Sequence, residues 1–256
     1  MKIRHKIISM ITAIIFLAGM FSVIPLTAVA YGTYGSLTYN TYDSDGDGVY
    51  DYLTIASCAQ PVTEVEIPAE IDGVPVTEIQ QYAFGGCNNL KNVIIPDRVV
   101  KIGKYAFYDC RSLKEITIPE SVASIDNCAF KNCSVLETVL IKNPECEIYD
   151  SADTIFNNLI FDEETGEDFN SINGIIYGYE NSTAQAYVEK YGYNFKLFVQ
   201  GDISKNDLID LYDAIEVVKY IMKIRTFTET DKQFADFTGN DAVDLYDAIE
   251  IARTLI

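Results

Sequence analysis

Two stretches near the C-terminus of this 256-residue chain place oxygen-bearing side chains at the same intervals. The sequences GDISKNDLIDLYDAIE and ADFTGNDAVDLYDAIE end in the same seven residues, 34 positions apart. When position 1 is Asp202 in the first stretch and Asp236 in the second, positions 1, 3, 5, 9 and 12 carry carboxylate, hydroxyl or amide oxygens. With the backbone carbonyl of position 7, this is the spacing of a calcium-binding loop, in which about six to eight oxygens surround the ion. The two stretches therefore predict two calcium sites.

The predicted ligands follow from that numbering. In the first loop they are Asp202, Ser204, Asn206, Leu208 through its carbonyl, Asp210 and Asp213. In the second loop they are Asp236, Thr238, Asn240, Ala242 through its carbonyl, Asp244 and Asp247. The acid at position 12 falls in the first turn of a following helix, where negative charge is favourable. The alternative is that the acids only cap the N-termini of two amphipathic helices.

Each loop is followed by a predicted helix. The helices extend from Leu211 to about Lys223 and from Leu245 to the end of the chain. No helix is predicted before either loop, because LFVQ leads directly into Gly201. Two such units form a small all-α module with EF-hand-like loops. Its folding should depend on calcium, since so short a segment has little core of its own.

The region from about Gly201 to Ile256 resembles a type I dockerin domain in its two loop-then-helix units. The resemblance implies a partner, the cohesin module of a scaffoldin, and membership of the cellulosomes with which anaerobic bacteria degrade plant fibre. It also implies that the residues at loop positions 10 and 11 face the cohesin. These partner-binding candidates are Leu211, Tyr212, Leu245 and Tyr246. The alternative is that they pack inside the module, which is a stronger expectation for leucine than for tyrosine.

The loops depart from the dockerin pattern at position 6. Glycine is usual there, but this chain has Asp207 and Asp241. Aspartate adopts the left-handed backbone conformation more readily than most residues. We therefore expect the turn to be retained.

The middle of the chain repeats with a period of 23 residues. Successive units begin at Ile79, Ile102 and Ile125, and each contains A-F, a cysteine, a leucine and an aliphatic-x-aliphatic strand. A unit with one short strand cannot bury its apolar face alone, so the units are expected to stack as a solenoid. The predicted core residues are Phe84, Phe107, Phe130, Leu90, Leu113, Leu136, Val93, Ile95, Ile116, Ile118, Val139 and Ile141.

The cysteines of the repeats share one position of the unit. They are Cys87, Cys110 and Cys133. Equivalent residues stack as a ladder in which the third has no partner, so they are predicted to be small buried side chains that satisfy loop backbone groups rather than disulfides. Cys128 replaces the tyrosine of the other units and is also predicted to be a packing residue.

This pattern resembles the BspA-type leucine-rich repeats of secreted bacterial proteins over roughly Gly35 to Phe198. The resemblance includes the closing segment IIYGYENSTAQAYVEKYGYNF, in which Ser182 and Gln185 predict a capping box and Gly192 a helix stop. It implies recognition of a protein or polysaccharide ligand rather than catalysis. Strand alternation gives the candidate exposed residues of the sheet as Asn92, Ile94, Glu115, Thr117 and Thr138.

Two other acidic segments have weaker patterns. DSDGDGVYD places Asp43, Asp45, Asp47 and Asp51 at positions 1, 3, 5 and 9 of a calcium loop. Position 12 is Thr54, however, and D-G pairs between strand-like residues favour a hairpin. We favour a hairpin in an N-terminal cap over Tyr39 to Ile55, with weak calcium binding as the alternative. The segment FDEETGEDF is predicted to be a solvated insertion between strands, with the acids Asp162, Glu163, Glu164, Glu167 and Asp168.

The first 30 residues have the basic start, apolar run and small residues of a secretory signal peptide cleaved after Ala30. An uncleaved membrane anchor is the alternative, but no later apolar run approaches the roughly 18 residues of a membrane helix. We therefore expect a secreted, extracellular protein. Its predicted divisions are a signal peptide (1–30), a repeat domain with caps (31–198) and the dockerin (199–256). The fold class is α+β, a leucine-rich-repeat solenoid followed by a small all-α calcium-binding module.

Composition restricts the function further. The chain has 19 Lys and Arg against 38 Asp and Glu, a net charge of −19 that disfavours nucleic acid and anionic lipid as partners. Its single histidine, His5, lies in the predicted signal peptide, so histidine-based nucleophilic catalysis and histidine metal sites are not expected in the mature chain. We predict a non-catalytic component, with no catalytic residues, that supports plant polysaccharide catabolism. The alternatives are a glycoside hydrolase acting through paired carboxylates and a calcium-dependent surface adhesin with no cohesin partner.

Overall fold

The computed structural model describes residues 30–156, 159–161, 168–170, 174–206 and 208–256. The predicted signal peptide lies outside the described residues, except for Ala30, which begins the first strand. Among the helices in the described ranges, none is both long and apolar enough to cross a membrane.

The chain forms short strands through most of its length and helices near its C-terminal end. The strands are β1 (Ala30–Tyr34), β2 (Leu37–Tyr42), β3 (Tyr52–Cys58), β4 (Glu64–Glu66), β5 (Glu70–Ile71), β6 (Val74–Ile79), β7 (Asn92–Ile94), β8 (Lys101–Ile102), β9 (Glu115–Ile118), β10 (Ser124–Ile125), β11 (Thr138–Ile141), β12 (Glu147–Ile148), β13 (Leu159–Phe161), β14 (Asp168–Asn170), β15 (Ile175–Gly178) and β16 (Asn194–Leu197). The helices are α1 (Thr183–Tyr191), α2 (Leu211–Ile221), α3 (Glu229–Ala235) and α4 (Leu245–Arg253).

The repeats form a β-solenoid with parallel strands on two sides. On one side β6, β8, β10 and β12 pair in parallel, and on the other β9, β11, β15 and β16 do so, with β4 paired to β7. The register advances by one repeat at each step, since Ile102 lies opposite both Ile79 and Ile125. Thr138 likewise lies opposite Glu115. These pairings confirm the predicted period.

Equivalent side chains of successive repeats stack in the interior. The ring centroids of Phe84 and Phe107 are 4.9 Å apart and those of Phe107 and Phe130 are 5.1 Å apart, with nearly parallel rings. The predicted core leucines and inward strand residues are all buried. Stacking gives each unit the apolar partner that it lacks alone, which is why the units fold as an array.

The cysteine ladder has the predicted role. All six cysteines lie in the described residues and are free. The Cys110 thiol donates to the Phe84 carbonyl over 3.2 Å, and the Cys133 thiol donates to the Phe107 carbonyl over 3.0 Å. Each thiol therefore satisfies a backbone group of the preceding repeat. Cys128 and Cys146 are buried as well.

Antiparallel strands close the N-terminal end of the solenoid. Strands β1, β2 and β3 form a meander, and β3 continues into the parallel sheet through β6. The predicted hairpin is confirmed, because β2 and β3 pair on either side of DSDGDGVYD. In the acidic insertion, β13 and β14 pair antiparallel, while residues 162–167 lie outside the described residues.

Helix α1 closes the C-terminal end between β15 and β16. Ser182 accepts a hydrogen bond from the Gln185 backbone N–H over 3.2 Å, and Gly192 ends the helix with a left-handed φ of 73°. The predicted capping box is only half formed. The Gln185 side chain accepts from the N–H of Asn181, because the N–H of Ser182 already donates to the Tyr179 carbonyl.

The C-terminal segment contains one helix more than the sequence predicted. Helices α2 and α4 match the expected pair and pack against each other. Helix α3 ends at Ala235, directly before the second loop, so the prediction that no helix precedes either loop holds for the first loop and is wrong for the second. Thr228 and Asp231 form a complete capping box for α3, and buried Phe234 anchors it in a core.

The helices and the repeat sheet share this second core. Leu140 and Tyr177 of the sheet and Phe198 beyond it are buried together with Phe234 of α3 and with residues of α2 and α4. The C-terminal segment therefore lies directly against the repeat domain.

Candidate metal centre

The first C-terminal loop is folded around its own carboxylates. Asp202 Oδ1 accepts hydrogen bonds from the Asn206 backbone N–H at 3.1 Å and from the Ser204 hydroxyl at 3.2 Å. Asp213 accepts the Ser204 N–H at 2.9 Å with one carboxylate oxygen and the Asp210 N–H at 2.8 Å with the other. Positions 1, 3, 5, 9 and 12 are thus linked by one set of hydrogen bonds.

The second loop contains three of these four bonds at the same positions. Asp236 Oδ1 accepts the Asn240 N–H at 3.0 Å. Asp247 accepts the Thr238 N–H at 2.9 Å and the Asp244 N–H at 2.8 Å. The duplicated sequence therefore gives a duplicated loop structure.

Positions 5 to 7 complete the turn in both loops. The position-5 amide oxygens of Asn206 and Asn240 each accept the N–H of position 7 at 2.9 Å. Asp241 at position 6 has a φ of 62°, the left-handed conformation predicted for it. Asp207, its counterpart in the first loop, lies outside the described residues.

The loop carboxylates suit a hard cation. Asp213 and Asp247 have no exposed surface, and Asp202 is 1 % exposed. Among the described residues, no Lys or Arg forms an ion pair with Asp213 or Asp247, whose donors are backbone N–H groups. A buried charge needs compensation, and calcium prefers carboxylate, amide and carbonyl oxygens. The residues of each loop therefore fit a calcium ion, which would supply the missing positive charge and hold the loop closed.

Some of the same acids also cap the helices, as the alternative interpretation proposed. Asp210 accepts the Tyr212 N–H at 2.7 Å at the start of α2, and Asp244 accepts the Tyr246 N–H at 2.7 Å at the start of α4. Capping explains positions 9 and 12. It does not explain the buried Asp202 at position 1 of the first loop or the amide at position 5 of both loops, since these positions lie before the helix. Capping and cation binding are therefore compatible roles of one loop.

The four partner-binding candidates are on the surface. Leu211 is 59 % and Tyr212 71 % exposed, and Leu245 is 57 % and Tyr246 69 % exposed. They do not pack inside the module, so the internal-packing alternative is wrong for the leucines as well as for the tyrosines. Each copy instead presents an aliphatic and an aromatic side chain at the first turn of its helix.

The N-terminal acidic segment forms a tight turn. The carboxylate oxygens of Asp43, Asp45 and Asp51 all lie within 4.8 Å of one another, the one such acidic cluster among the described residues. Asp43 accepts the Gly48 N–H at 2.9 Å. Hydrogen bonds from the Ser44 side chain and backbone lower the pKa of Asp51. These bonds explain the aspartates as turn-forming residues of the β2–β3 hairpin.

The candidate ligand face of the repeat sheet is partly covered. Ile94 is exposed, whereas the other candidates are half-buried: Asn92, Glu115, Thr117 and Thr138. Glu115 accepts the Thr230 N–H of α3 at 3.4 Å, and Lys142 donates to the Gln233 side chain of α3 at 3.0 Å. The prediction of an open face is therefore corrected near β9, because strand alternation carries no information about a helix from a distant segment.

Lys205 of the first loop joins α3 to the sheet. Its ammonium group pairs with Asp231 at 2.8 Å and lies 5.2 Å from the ring centroid of Phe234 and 5.8 Å from that of Tyr177. Burial opposes ionisation of Asp231, but the bonds from Lys205 and Thr228 outweigh it and lower the pKa of that carboxyl. This contact network was not predicted. The available signal was the T-x-x-D capping pattern that begins at Thr228.

Cys58 and Cys87 form a further unpredicted pair. A hydrogen bond between the two thiols lowers the pKa of Cys58 to about 7, against the opposing effect of partial burial. The same bond raises the pKa of Cys87, and burial adds to the increase. Cys58 is half-buried, whereas the other five cysteines are buried.

Both parts of the chain match the model of a known protein family. Residues 56–173 match the BspA type leucine rich repeat region, in six copies, and residues 200–256 match the dockerin type I domain. No curated protein matches the chain.

Solved leucine-rich repeat structures from bacteria are similar to part of it. One is a leucine-rich repeat protein from Bacteroides capillosus, with 23% identity over 59% of this chain and 99% of that one and a TM-score of 0.46. Another is a leucine rich cell surface protein from Faecalibacterium prausnitzii, with 24% identity over 58% of this chain and 45% of that one and a TM-score of 0.37. A third is the leucine rich repeat protein of T. pallidum, with 21% identity over 66% of this chain and 95% of that one and a TM-score of 0.35.

Type I dockerin domains bind calcium and dock to cohesin modules. Both acidic loops and both exposed Leu-Tyr pairs lie within the matched residues 200–256. The chain contains a BspA-type leucine-rich repeat region at residues 56–173 and a type I dockerin domain at residues 200–256.

Proposed function

We propose that this protein is a secreted, non-catalytic component of a cellulosome-type assembly. In this proposal residues 31–198 form the ligand-binding repeat domain and residues 199–256 form the dockerin. The dockerin binds two calcium ions through the twelve loop residues named above and docks to a scaffoldin cohesin through Leu211 and Tyr212 or through Leu245 and Tyr246. The repeat domain binds a protein or polysaccharide in support of plant polysaccharide breakdown.

One observation carries the proposal. Two loops with the same hydrogen bonds each begin a helix that exposes the same Leu-Tyr pair. Exposed apolar and aromatic side chains on a rigid element are typical anchors of a protein interface. The predicted signal peptide supports an extracellular location, where calcium is abundant enough to fill such loops.

The experiment is capture of cohesin fragments on immobilised protein, in calcium and in EDTA. We expect capture in calcium and none in EDTA. We also expect none in calcium when Asp202, Asp213, Asp236 and Asp247 are changed together to Ala. The matched control changes Asp43, Asp45, Asp47 and Asp51 to Ala, which removes the same number of carboxylates and should leave capture unchanged.

The outcomes separate the alternatives. Calcium-induced folding without capture of any cohesin would favour a calcium-dependent adhesin over the proposed docking role. Hydrolysis of xylan, cellulose or pectin that a single Asp or Glu substitution abolishes would favour an enzyme.

A further inference from the structure

Cys58, at the end of β3, continues the ladder of stacked phenylalanines toward the N-terminal cap. The backbone N–H of Phe84 donates at 2.7 Å to the carbonyl of Ala106, the alanine that precedes Phe107. In the same way the N–H of Cys58 donates at 2.8 Å to the carbonyl of Ala83, the alanine that precedes Phe84. Cys58 therefore makes the backbone contact of a ladder phenylalanine, one step before Phe84.

The cysteine ladder meets Cys58 at this step. Within the ladder, the Cys110 thiol donates at 3.2 Å to the carbonyl of Phe84, the phenylalanine of the preceding repeat. Cys87 is the equivalent cysteine one repeat earlier, and Cys58 holds the place of its preceding phenylalanine. The thiols of Cys58 and Cys87 are hydrogen-bonded to each other. The first thiol of the ladder thus contacts a second thiol.

The backbone holds the two cysteines next to each other. The N–H of Cys58 bonds to the Ala83 carbonyl, and the side-chain amide of Gln60 donates at 2.7 Å to the carbonyl of Gly86, the residue before Cys87. Cys58 also packs against the core cluster that contains Cys87. The contact between the thiols is therefore a consequence of the way in which the cap joins the first repeat.

The two thiols differ in their access to solvent. Cys58 is half-buried, whereas Cys87 is 2 % exposed. The hydrogen bond from Cys87 lowers the pKa of Cys58 to about 7, so the thiolate of Cys58 is well populated at neutral pH. The thiolate is the nucleophile of thiol–disulfide exchange. A small disulfide in solution can therefore react with Cys58, and Cys87 is placed to react with Cys58 alone.

We propose that Cys58 and Cys87 form a disulfide bond in an oxidising extracellular environment and so link the N-terminal cap to the first repeat. The Cys58 thiolate attacks a low-molecular-weight disulfide, whose S–S bond breaks and releases one thiolate. Cys87 then loses its proton and attacks the Cys58 sulfur of the mixed disulfide, which releases the second thiolate. The protein thiols are oxidised by two electrons, and the small disulfide takes up both electrons and both protons to become two thiols.

The inference rests on the predicted extracellular location and not on calcium binding or cohesin docking. The test incubates the reduced, calcium-loaded protein with oxidised glutathione at neutral pH and then blocks the remaining thiols with N-ethylmaleimide. Digestion with trypsin and a glutamyl endopeptidase, without reductant, cleaves after Glu64, Glu78 and Lys91 and so separates the two cysteines. We expect mass spectrometry to find the Cys58 peptide linked to the Cys87 peptide.

Variants identify the order of the steps. Cys58→Ser should abolish the link, and Cys87→Ser should leave Cys58 joined to glutathione. Cys110→Ser, at the next cysteine of the ladder, is the matched control and should leave the link in place. The linked protein should also unfold at a temperature about 5–10 °C higher than the reduced protein, because the link restricts the unfolded chain.

Three outcomes would overturn the proposal. In the folded parent protein, Cys58 could carry glutathione without a link to Cys87, or it could be linked as often to another cysteine as to Cys87. In the third outcome, the linked protein unfolds at the same temperature as the reduced protein, which is incompatible with a bond that joins the cap to the repeat.

Discussion

The ring of Tyr177, on the repeat sheet, meets the ring of Phe234, on dockerin helix α3, edge to face with centroids 5.4 Å apart. Both side chains are buried in a core that contains residues of the sheet and of all three dockerin helices. The dockerin is therefore packed on the repeat domain rather than held only by its peptide connection. This packing has consequences for stability that can be measured.

Removal of the Phe234 ring should uncouple the two domains. We expect Phe234→Ala to lower the free energy of unfolding by about 3–5 kcal/mol, the usual loss for a buried phenylalanine. Calorimetry should then show separate transitions for the two domains where the parent protein shows one. Tyr31→Ala, at a side chain 77 % exposed, is the control and should leave the transition in place. Two transitions in the parent protein would contradict this account of the interface.

Acid should weaken the same interface through Asp231. Its pKa is lowered in the folded protein by Lys205 despite burial, so its contribution to stability is present above the unfolded pKa of about 3.9 and is lost as the pH falls through the lower folded value. Urea unfolding in EDTA at several pH values should show Asp231→Asn less stable than the parent at pH 7, with the difference vanishing at low pH. Asp150→Asn breaks an exposed pair with Lys190 and should show a smaller difference that salt removes. A constant difference for Asp231→Asn at all pH values would rule out this origin.

Calcium should stabilise the dockerin through both loops. An ion that binds only the folded state raises the free energy of unfolding by about 2.7 kcal/mol when its concentration is one hundred times its dissociation constant. We expect thermal unfolding to shift upward with added calcium, and the shift to disappear when Asp202 and Asp236 are both changed to Asn. Asp72→Asn, at an exposed turn residue with a φ of 53°, should retain the full shift. An undiminished shift in the double variant would place the ions elsewhere.

The duplicated docking pairs should substitute for one another. Tyr212→Ala or Tyr246→Ala alone should change cohesin affinity only a few-fold, because the other exposed pair remains. The double variant should lose about 2 kcal/mol or more of cohesin-binding free energy, as expected when a central aromatic residue of an interface is removed. Surface plasmon resonance with a cohesin fragment measures both. Tyr179→Ala on the repeat domain is the control. If one single variant loses as much cohesin affinity as the double variant, only one face docks.

Cys58 should be the reactive thiol of the protein. Its pKa of about 7 gives a substantial thiolate fraction at neutral pH, whereas burial raises the pKa of Cys146 to about 12. Brief iodoacetamide treatment of the folded protein, followed by peptide mass spectrometry, should label Cys58 first. Cys146 serves as the internal control and should react only after unfolding. Equal labelling of the two in the folded state would contradict the effect of the Cys87 hydrogen bond.

The repeats were predictable because their determinants are local and periodic. The register of Phe84, Phe107 and Phe130 follows from spacing alone, and the stacked rings confirm it. The loop numbering likewise identified positions that the structure joins by hydrogen bonds, such as Ser204 to Asp213.

Other features depend on contacts that no local pattern encodes. Helix α3 is seven residues long, and its contact from Thr230 to Glu115 joins positions 115 residues apart. The Gln185 side chain accepts the N–H of Asn181 and not that of Ser182, because the Ser182 N–H already donates to the Tyr179 carbonyl in a neighbouring turn. The covering of the sheet by α3 could not be inferred for the same reason.

The packing of the dockerin on the repeat domain bears on how the two Leu-Tyr pairs would orient the solenoid. A cohesin seated on α2 and a cohesin seated on α4 would approach the molecule from different directions, because the two helices are distinct elements packed against each other. With a flexible tether this difference would be averaged away. With the dockerin packed on the sheet through Tyr177 and Phe234, the choice of helix in the proposed docking would set the direction in which the solenoid points from its scaffold, and one sequence would provide two orientations of display.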